Sequence, residues 1–346
     1  MGIGSFGGLS PMGMFIDKGA HARMKKTKSF SYAKYGYIFS IPFVVAYLIF
    51  SLYPTINTVI LGFTDAKGMS GLTNWNFLPA NDLFKNFIAV LKAPTFRKSL
   101  VNTMILWICN FIPQISLALL LTAWFTSKRN ELRGQGFFKV VFYMPNIITA
   151  ASIAILFKAL FAYPVGPVNS LLTNLGLTDE AINFTTMVWP TRGIIAFIQF
   201  WMWYGNTMIV LVSGVLGINP DLYEAAELDG ATSSQMFWKI TMPNLKTILL
   251  YTLITSMIGG LNMYDIPKLF NDGNPANSTM TTNVFIYKQA FSGSYLYARA
   301  AAASVIMFII IAILSVLVFM MFQDSDKKME RAAKRAAKRA AKKEVG

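Results

Sequence analysis

The sequence predicts an all-α polytopic membrane protein with six transmembrane helices, and three observations carry that expectation. The 346 residues are 54% hydrophobic and only 14% charged, whereas a soluble chain carries about 25% charged residues. The mean hydropathy is +0.47. Six windows free of Asp, Glu, Lys and Arg cover 35–64, 99–127, 140–157, 193–220, 247–264 and 300–323. A bilayer core of about 30 Å takes about 20 apolar residues in helix. The windows therefore place spans near 37–62, 100–126, 139–160, 193–216, 246–266 and 299–322 in a transmembrane domain of residues 35–323. Basic tails, 1–34 and 324–346, flank it.

The first window is long enough to run past the membrane, with Pro42 and Pro54 available to bend it. The third ends near Lys158, whose stem lets the charge reach the interface. A further charge-free stretch, 159–178, is interrupted by Pro164, Gly166, Pro167 and Asn169 and reads as a loop. Lys and Arg set orientation, because cytoplasmic loops carry the excess. The N-terminal tail, the loop after span two, the loop after span four and the C-terminal tail together hold 21 of them, against nine on the other side. Both termini are therefore expected in the cytoplasm, as an even number of spans requires. The run Arg331–Lys343 is low-complexity and basic. It reads as a solvated tail that fixes topology, or as a contact with anionic lipid or a partner.

Composition also excludes. The net charge of +15 would suit nucleic acid, but the hydropathy assigns it to a membrane chain instead. The single Cys109 rules out an internal disulfide and a Cys-based zinc site. The single His21 sits in a Gly- and Lys-containing tail, far from any catalytic constellation. The first 30 residues are too polar and Gly-rich for a cleaved signal peptide. No phosphate loop, dinucleotide fingerprint or H-E-x-x-H occurs. Within the spans charge is confined to the outer ends, at Lys158 and Asp265. That weighs against a proton- or sodium-driven carrier and favours a pore for a neutral, polar solute with energy supplied elsewhere.

The informative segment is the loop at 219–243, between spans four and five. Asn219 can cap a helix, Pro220 suits its first position, and Asp221 and Glu224 favour its positive end. Gly230 suits a left-handed exit, and Thr232 or Ser233 can cap a second short helix bounded by Pro243. The expected element is two short helices around a glycine hinge on the cytoplasmic face, with Ala225 and Ala226 as a low surface for close approach.

Glu224-Ala225-Ala226, Gly230 three residues on, and Ile240 with Met242-Pro243 after nine more resemble the E-A-A motif of permease subunits of bacterial ABC importers. Met242 stands where Leu is usual. Asp229-Gly230-Ala231 and Phe237 are similar to the binding-protein-dependent, sugar-importing (maltose-type) branch. Leu52-Tyr53-Pro54, Gly62–Asp65, Asn102-Thr103, Leu132–Phe138, Met144-Pro145, Gly166–Asn169, Leu175–Leu177, Asn277–Thr279 and Ile286–Phe291 match it in order, over nearly the whole chain from residue 35. Asn271–Pro275 departs from the usual G-G-P of an outer loop. The resemblance implies the type I importer permease fold. It implies a coupling helix with Glu224, Ala225, Ala226, Asp229, Gly230, Ile240 and Pro243 against a cytoplasmic ATPase, Glu224 pairing with a basic group there. It further implies a second homologous permease, distinct or identical, two ATPase subunits that hold the ATP and magnesium, an extracytoplasmic solute-binding protein, and no cofactor on this chain.

A sugar path needs hydrogen-bonding groups and aromatic faces. Gln199, Trp203 and Asn206 share one face of span four by helical spacing, and span five carries Thr255, Ser256, Asn262 and Tyr264. Sugar contacts of maltose-type permeases fall at positions matching Gln199, Met202, Trp203, Asn206, Ser256, Gly260 and Met263, with only Ser256 the same residue. Trp201 and Tyr204 read equally as packing or interface anchors, and Gln199 and Asn206 equally as interhelical hydrogen-bond partners. Other readings are an ABC permease for an amino acid or peptide, a secondary carrier, which would want intramembrane charge, and a membrane-embedded enzyme, for which no constellation exists.

Overall fold

A computed structural model describes residues 33–127, 133–293 and 295–344, with side chains for 34–127, 133–293 and 295–322. Most of the basic N-terminal tail, Lys128, Arg129 and Leu132 lie outside the described residues. So do the side chains of the basic C-terminal run. Residues 33–53 form one unit, helix α1 (Ala33–Tyr47) followed by a π turn at Leu48–Leu52. The second unit, from residue 54, holds the remainder and is described by itself.

Its helices are α2 (Tyr53–Leu61), α3 (Lys85–Lys92), α4 (Pro94–Phe125), α5 (Gln135–Ile147), α6 (Ala150–Leu160), α7 (Pro167–Asn174) and α8 (Val188–Leu216). After these come α9 (Asp221–Leu228), α10 (Ser233–Met236), α11 (Met242–Asn244), α12 (Lys246–Leu261), α13 (Asp265–Asn271), α14 (Thr282–Phe291) and α15 (Tyr297–Glu344). Among the described residues no strand is formed beyond one isolated bridge, Thr64 to Phe77. Five helical stretches are long and apolar enough to cross a membrane: 34–61, 94–125, 188–216, 246–271 and 297–322. A sixth crossing is available if α5 and α6 act as one broken span.

That pair differs from the single straight span expected over 139–160: α5 and α6 meet at 88°. Pro145 lies inside α5 and has no N–H to offer the preceding turn. Ile148 is extended at φ −75°, ψ 137°, and the Thr149 side chain accepts from the Ser152 N–H to start α6 afresh. A second break falls at Asn262–Tyr264, between α12 and α13. The stretch 159–178, read as a loop, also holds α7. Pro167 opens that helix, a position where a missing N–H costs nothing.

Helix α8 is the centre of the bundle. Of its most apolar window 56% is buried, against 6% for that of α15. One face of α8 joins Ala118, Leu121 and Phe125 of α4 through Tyr204, Met208, Leu211 and Val212. Its N-terminal half joins α6 and α13 through Ile195, Ile198, Ile153, Ile266 and Phe270. Trp201 rests on Phe157 at 5.8 Å and Tyr204 on Phe200 at 5.6 Å, so both pack within the bundle.

The 272–282 loop is held by polar groups as well as by Met280, which packs against Val90, Phe96 and Val284. Asn102 on α4 donates to the Asn277 and Met280 carbonyls at 2.7 and 3.1 Å. Arg192 at the start of α8 donates to Asn102 Oδ1 at 2.6 Å and to the Ser278 carbonyl at 2.9 Å. Asp272 is bound by Lys268 at 2.6 Å and Lys288 at 3.0 Å. Partial burial works to raise the Asp272 carboxyl, but the hydrogen bonds and charges of Lys268 and Lys288 outweigh it and hold the group below its ordinary 3.8.

Candidate functional site

Two arrangements stand out, one at the end of α8 and one midway along it. The first is the 219–243 element. Asn219 Oδ1 accepts from the Asp221 N–H at 3.1 Å, so it caps α9. At the other end Ala231 N–H donates to Ala226 O at 2.9 Å and Gly230 N–H to Glu227 O at 3.0 Å, the paired bonds of a glycine-terminated helix. Gly230 has φ +75°, a conformation that only glycine adopts without strain. Thr232 and Gln235 form a reciprocal capping box that opens α10. A π turn, Phe237–Thr241, and α11 return the chain to α12. The Tyr223 and Thr241 hydroxyls lie 2.9 Å apart and tie the outgoing arm to the returning one.

The structure thus places Glu224, Ala225, Ala226, Asp229 and Gly230 on α9 and its exit, and Ile240 and Pro243 on the return arm. Glu224, Ala225, Asp229 and Gly230 are exposed. Beside them stand three large apolar side chains that motif reasoning did not single out: Leu222 at 46% exposure, Leu228 at 90% and Trp238 at 63%.

The second arrangement is a polar cavity of about 300 Å³ walled by α4, α8 and α12. Gln199, Trp203, Asn206 and Ser256 line it together with Gly260 and Met263. Gln199 is 9% exposed, while the Trp203 indole stays 46% exposed as a free aromatic face. Neither the Gln199 nor the Asn206 side chain forms a hydrogen bond to another described residue. The interhelical bond here is instead Gln114 Nε2 to Thr207 Oγ1, at 2.7 Å. The Trp107 side chain of α4 lies against Gly260 of α12, and a Cβ at 260 would collide with the indole.

Asn262 and Tyr264 are not in the cavity lining. The break after α12 turns them toward α14: Asn283 donates to the Asn262 carbonyl at 2.8 Å, and the Tyr264 ring sits 5.4 Å from that of Tyr287. Met202 is buried among apolar neighbours of α6 and α13. Asn110 and Gln114 on α4 do line the cavity. Their spacing of four, as the two amides in the middle of a charge-free window, was the sequence signal for them. Among the described residues no group of His, Cys, Asp and Glu could hold a metal ion.

A helical membrane bundle with a charge-free polar cavity, and a hinged, capped two-helix element at one end, defines the membrane component of a transport system. The chain belongs to the family described as binding-protein-dependent transport system inner membrane component, which it matches over residues 85–331. It is 31% identical over 290 residues to the lactose transport system permease protein LacF of Rhizobium radiobacter, covering 82% of this chain and 92% of that one. It is 28% identical to the arabinooligosaccharides transport system permease protein AraP of Bacillus subtilis (strain 168), over 81% of this chain and 86% of that one. A chain from the crystal structure of a bacterial ABC transporter involved in the import of the acidic polysaccharide alginate shares the fold. The TM-score is 0.68 at 23% identity, covering 84% of this chain and 95% of that one.

Proposed function

We propose that the chain is the transmembrane permease subunit of an ATP-driven importer for a neutral oligosaccharide. It forms half of the translocation pore beside a second homologous permease. The observation that carries this reading is the cavity itself: amides, hydroxyls and one open indole face, with no Asp, Glu, Lys, Arg or His in its lining. Such a lining suits hydroxyl-rich neutral rings, whereas an ionic cargo would meet uncompensated desolvation. Relatives named for lactose and arabinooligosaccharides support it.

The chain hydrolyses no ATP of its own. The 219–243 element seats in a cleft of a cytoplasmic ATPase through Glu224, Ala225, Ala226, Asp229 and Gly230, with Leu222, Leu228 and Trp238 covered on docking. Two ATPase copies carry the nucleotide and magnesium, and an extracytoplasmic binding protein delivers the sugar. Both termini face the cytoplasm. The test is reconstitution in liposomes with the partner permease, ATPase and binding protein. Import of a neutral oligosaccharide in step with ATP hydrolysis is expected. Import of an amino acid or peptide instead would remove the sugar assignment. Reporter fusions after residue 180 should read extracytoplasmic and those after 230 cytoplasmic, and the opposite pattern discards the orientation.

A further inference from the structure

The cavity has a wall that α8 and α12 do not supply. Asn110 and Gln114, one turn apart on α4, line it while being only 5% and 4% exposed. Each amide has one half bound within the protein and the other half open to the cavity. Asn110 Nδ2 donates to the Leu106 carbonyl at 3.0 Å. That oxygen only accepts, so the amide orientation is fixed and Oδ1 has no partner among the described residues. Gln114 Nε2 donates to Thr207 Oγ1, which leaves Gln114 Oε1 as an acceptor and the Thr207 proton for another partner. Thr252 Oγ1, on the α12 wall, is buried and likewise unpartnered in the described structure. These are unfilled hydrogen-bonding positions held in place by the helix packing.

We infer that Asn110 and Gln114 are specificity-determining residues: their carbonyl oxygens accept hydrogen bonds from the hydroxyls of a neutral saccharide and disfavour carboxylate-bearing sugars. The inference rests on the sugar-importer reading and adds α4 to it. A sugar hydroxyl donates as well as accepts, so it satisfies these oxygens. An ionised carboxylate only accepts, so it faces them with nothing to give, and no Lys, Arg or His in the lining compensates its charge.

Cysteine protection tests this directly. Cys109, the chain's single cysteine, lies within the α4 span and outside the lining, so it is replaced to leave each introduced cysteine as the only thiol. In a Cys109→Ser background, Gln114→Cys, Asn110→Cys and Trp203→Cys are each assembled into the complete importer in nanodiscs and labelled with a small methanethiosulfonate. Maltotriose and raffinose are the neutral probes and an alginate trisaccharide is the acidic one. A neutral probe at about ten times its Kd should slow labelling of all three variants about tenfold and should outperform the uronate. Protection at Trp203→Cys but at neither α4 cysteine overturns the α4 assignment and leaves the sugar reading standing. Protection at none of the three by either neutral probe removes that reading and this inference together. Equal protection by the alginate trisaccharide overturns the discrimination against carboxylates.

Discussion

The Tyr223 hydroxyl meets the Thr241 hydroxyl at 2.9 Å across the 219–243 element, 18 residues away in sequence. This bond makes the two arms one body. A force applied at the exposed tip passes to α12 through Thr241 as well as through the covalent chain. Tyr223→Phe removes a hydrogen bond worth about 0.5–1.5 kcal/mol and keeps the ring. The expected outcome is a lower ratio of sugar imported to ATP hydrolysed, with insertion and ATPase binding retained. An unchanged ratio in liposomes would show that the tie carries no coupling.

Gly230 has φ +75° and open space around the position a Cβ would take. Within this chain a side chain there meets backbone strain and no clash. Gly230→Val is expected to cost about 1–2 kcal/mol locally and to obstruct the docked ATPase, so transport is lost while the permease remains in the membrane. Gly230→Asn, which tolerates the left-handed region better, should retain more activity. Normal uptake by the Val variant would count against this surface as the coupling site.

In the cavity, Trp203→Ala deletes the exposed aromatic face, while Gln199→Ala or Asn206→Ala each removes a hydrogen bond worth about 0.5–1.5 kcal/mol. Sugar-stimulated ATP hydrolysis should fall most in the Trp203 variant. Full activity in all three would put the solute path elsewhere.

How much of this could be read from the chain depends on how local each signal is. Asn219, Gly230 and Thr232 act through their own and adjacent backbone groups, so the hinged element was foreseeable in detail. Gln199, Trp203 and Asn206 share a face by helical period alone. Asn262 and Tyr264 do not follow that logic, because the helix stops at Leu261 and the chain turns toward Asn283 and Tyr287. Gly259, Gly260 and Asn262 do mark a helix stop there, but a charge-free window read for length alone passes over them. Pro145 and Pro167 show the same limit: one marks a sharp break and the other opens a helix, and only neighbouring structure distinguishes them.

The Asp272 carboxylate, held by Lys268 and Lys288, should make a pH-dependent contribution. Its pKa is lowered from 3.8, so the anchor is fully present above that ordinary value and is lost as pH falls through the lower folded one. With the carboxylate about half exposed, solvent screening limits the pair to less than about 1 kcal/mol. Asp272→Asn should lower the thermal midpoint by the same amount across about pH 5–8 and converge on the parent protein only in stronger acid. A difference that grows on acidification would contradict the assignment.

The 88° break between α5 and α6 constrains how this segment can be set into lipid. A straight apolar helix is indifferent to rotation about its own axis, since every backbone group is satisfied internally. A broken one leaves the last carbonyls of α5 and the first amides of α6 without intrahelical partners, and hydrocarbon offers them none. Thr149 answers one of the amides, and Asn146, beside the break, reaches across to the Met202 carbonyl of α8 at 3.2 Å. The break therefore acts as an azimuthal index, tied to α8 through Asn146: the backbone groups it frees have to face protein rather than hydrocarbon.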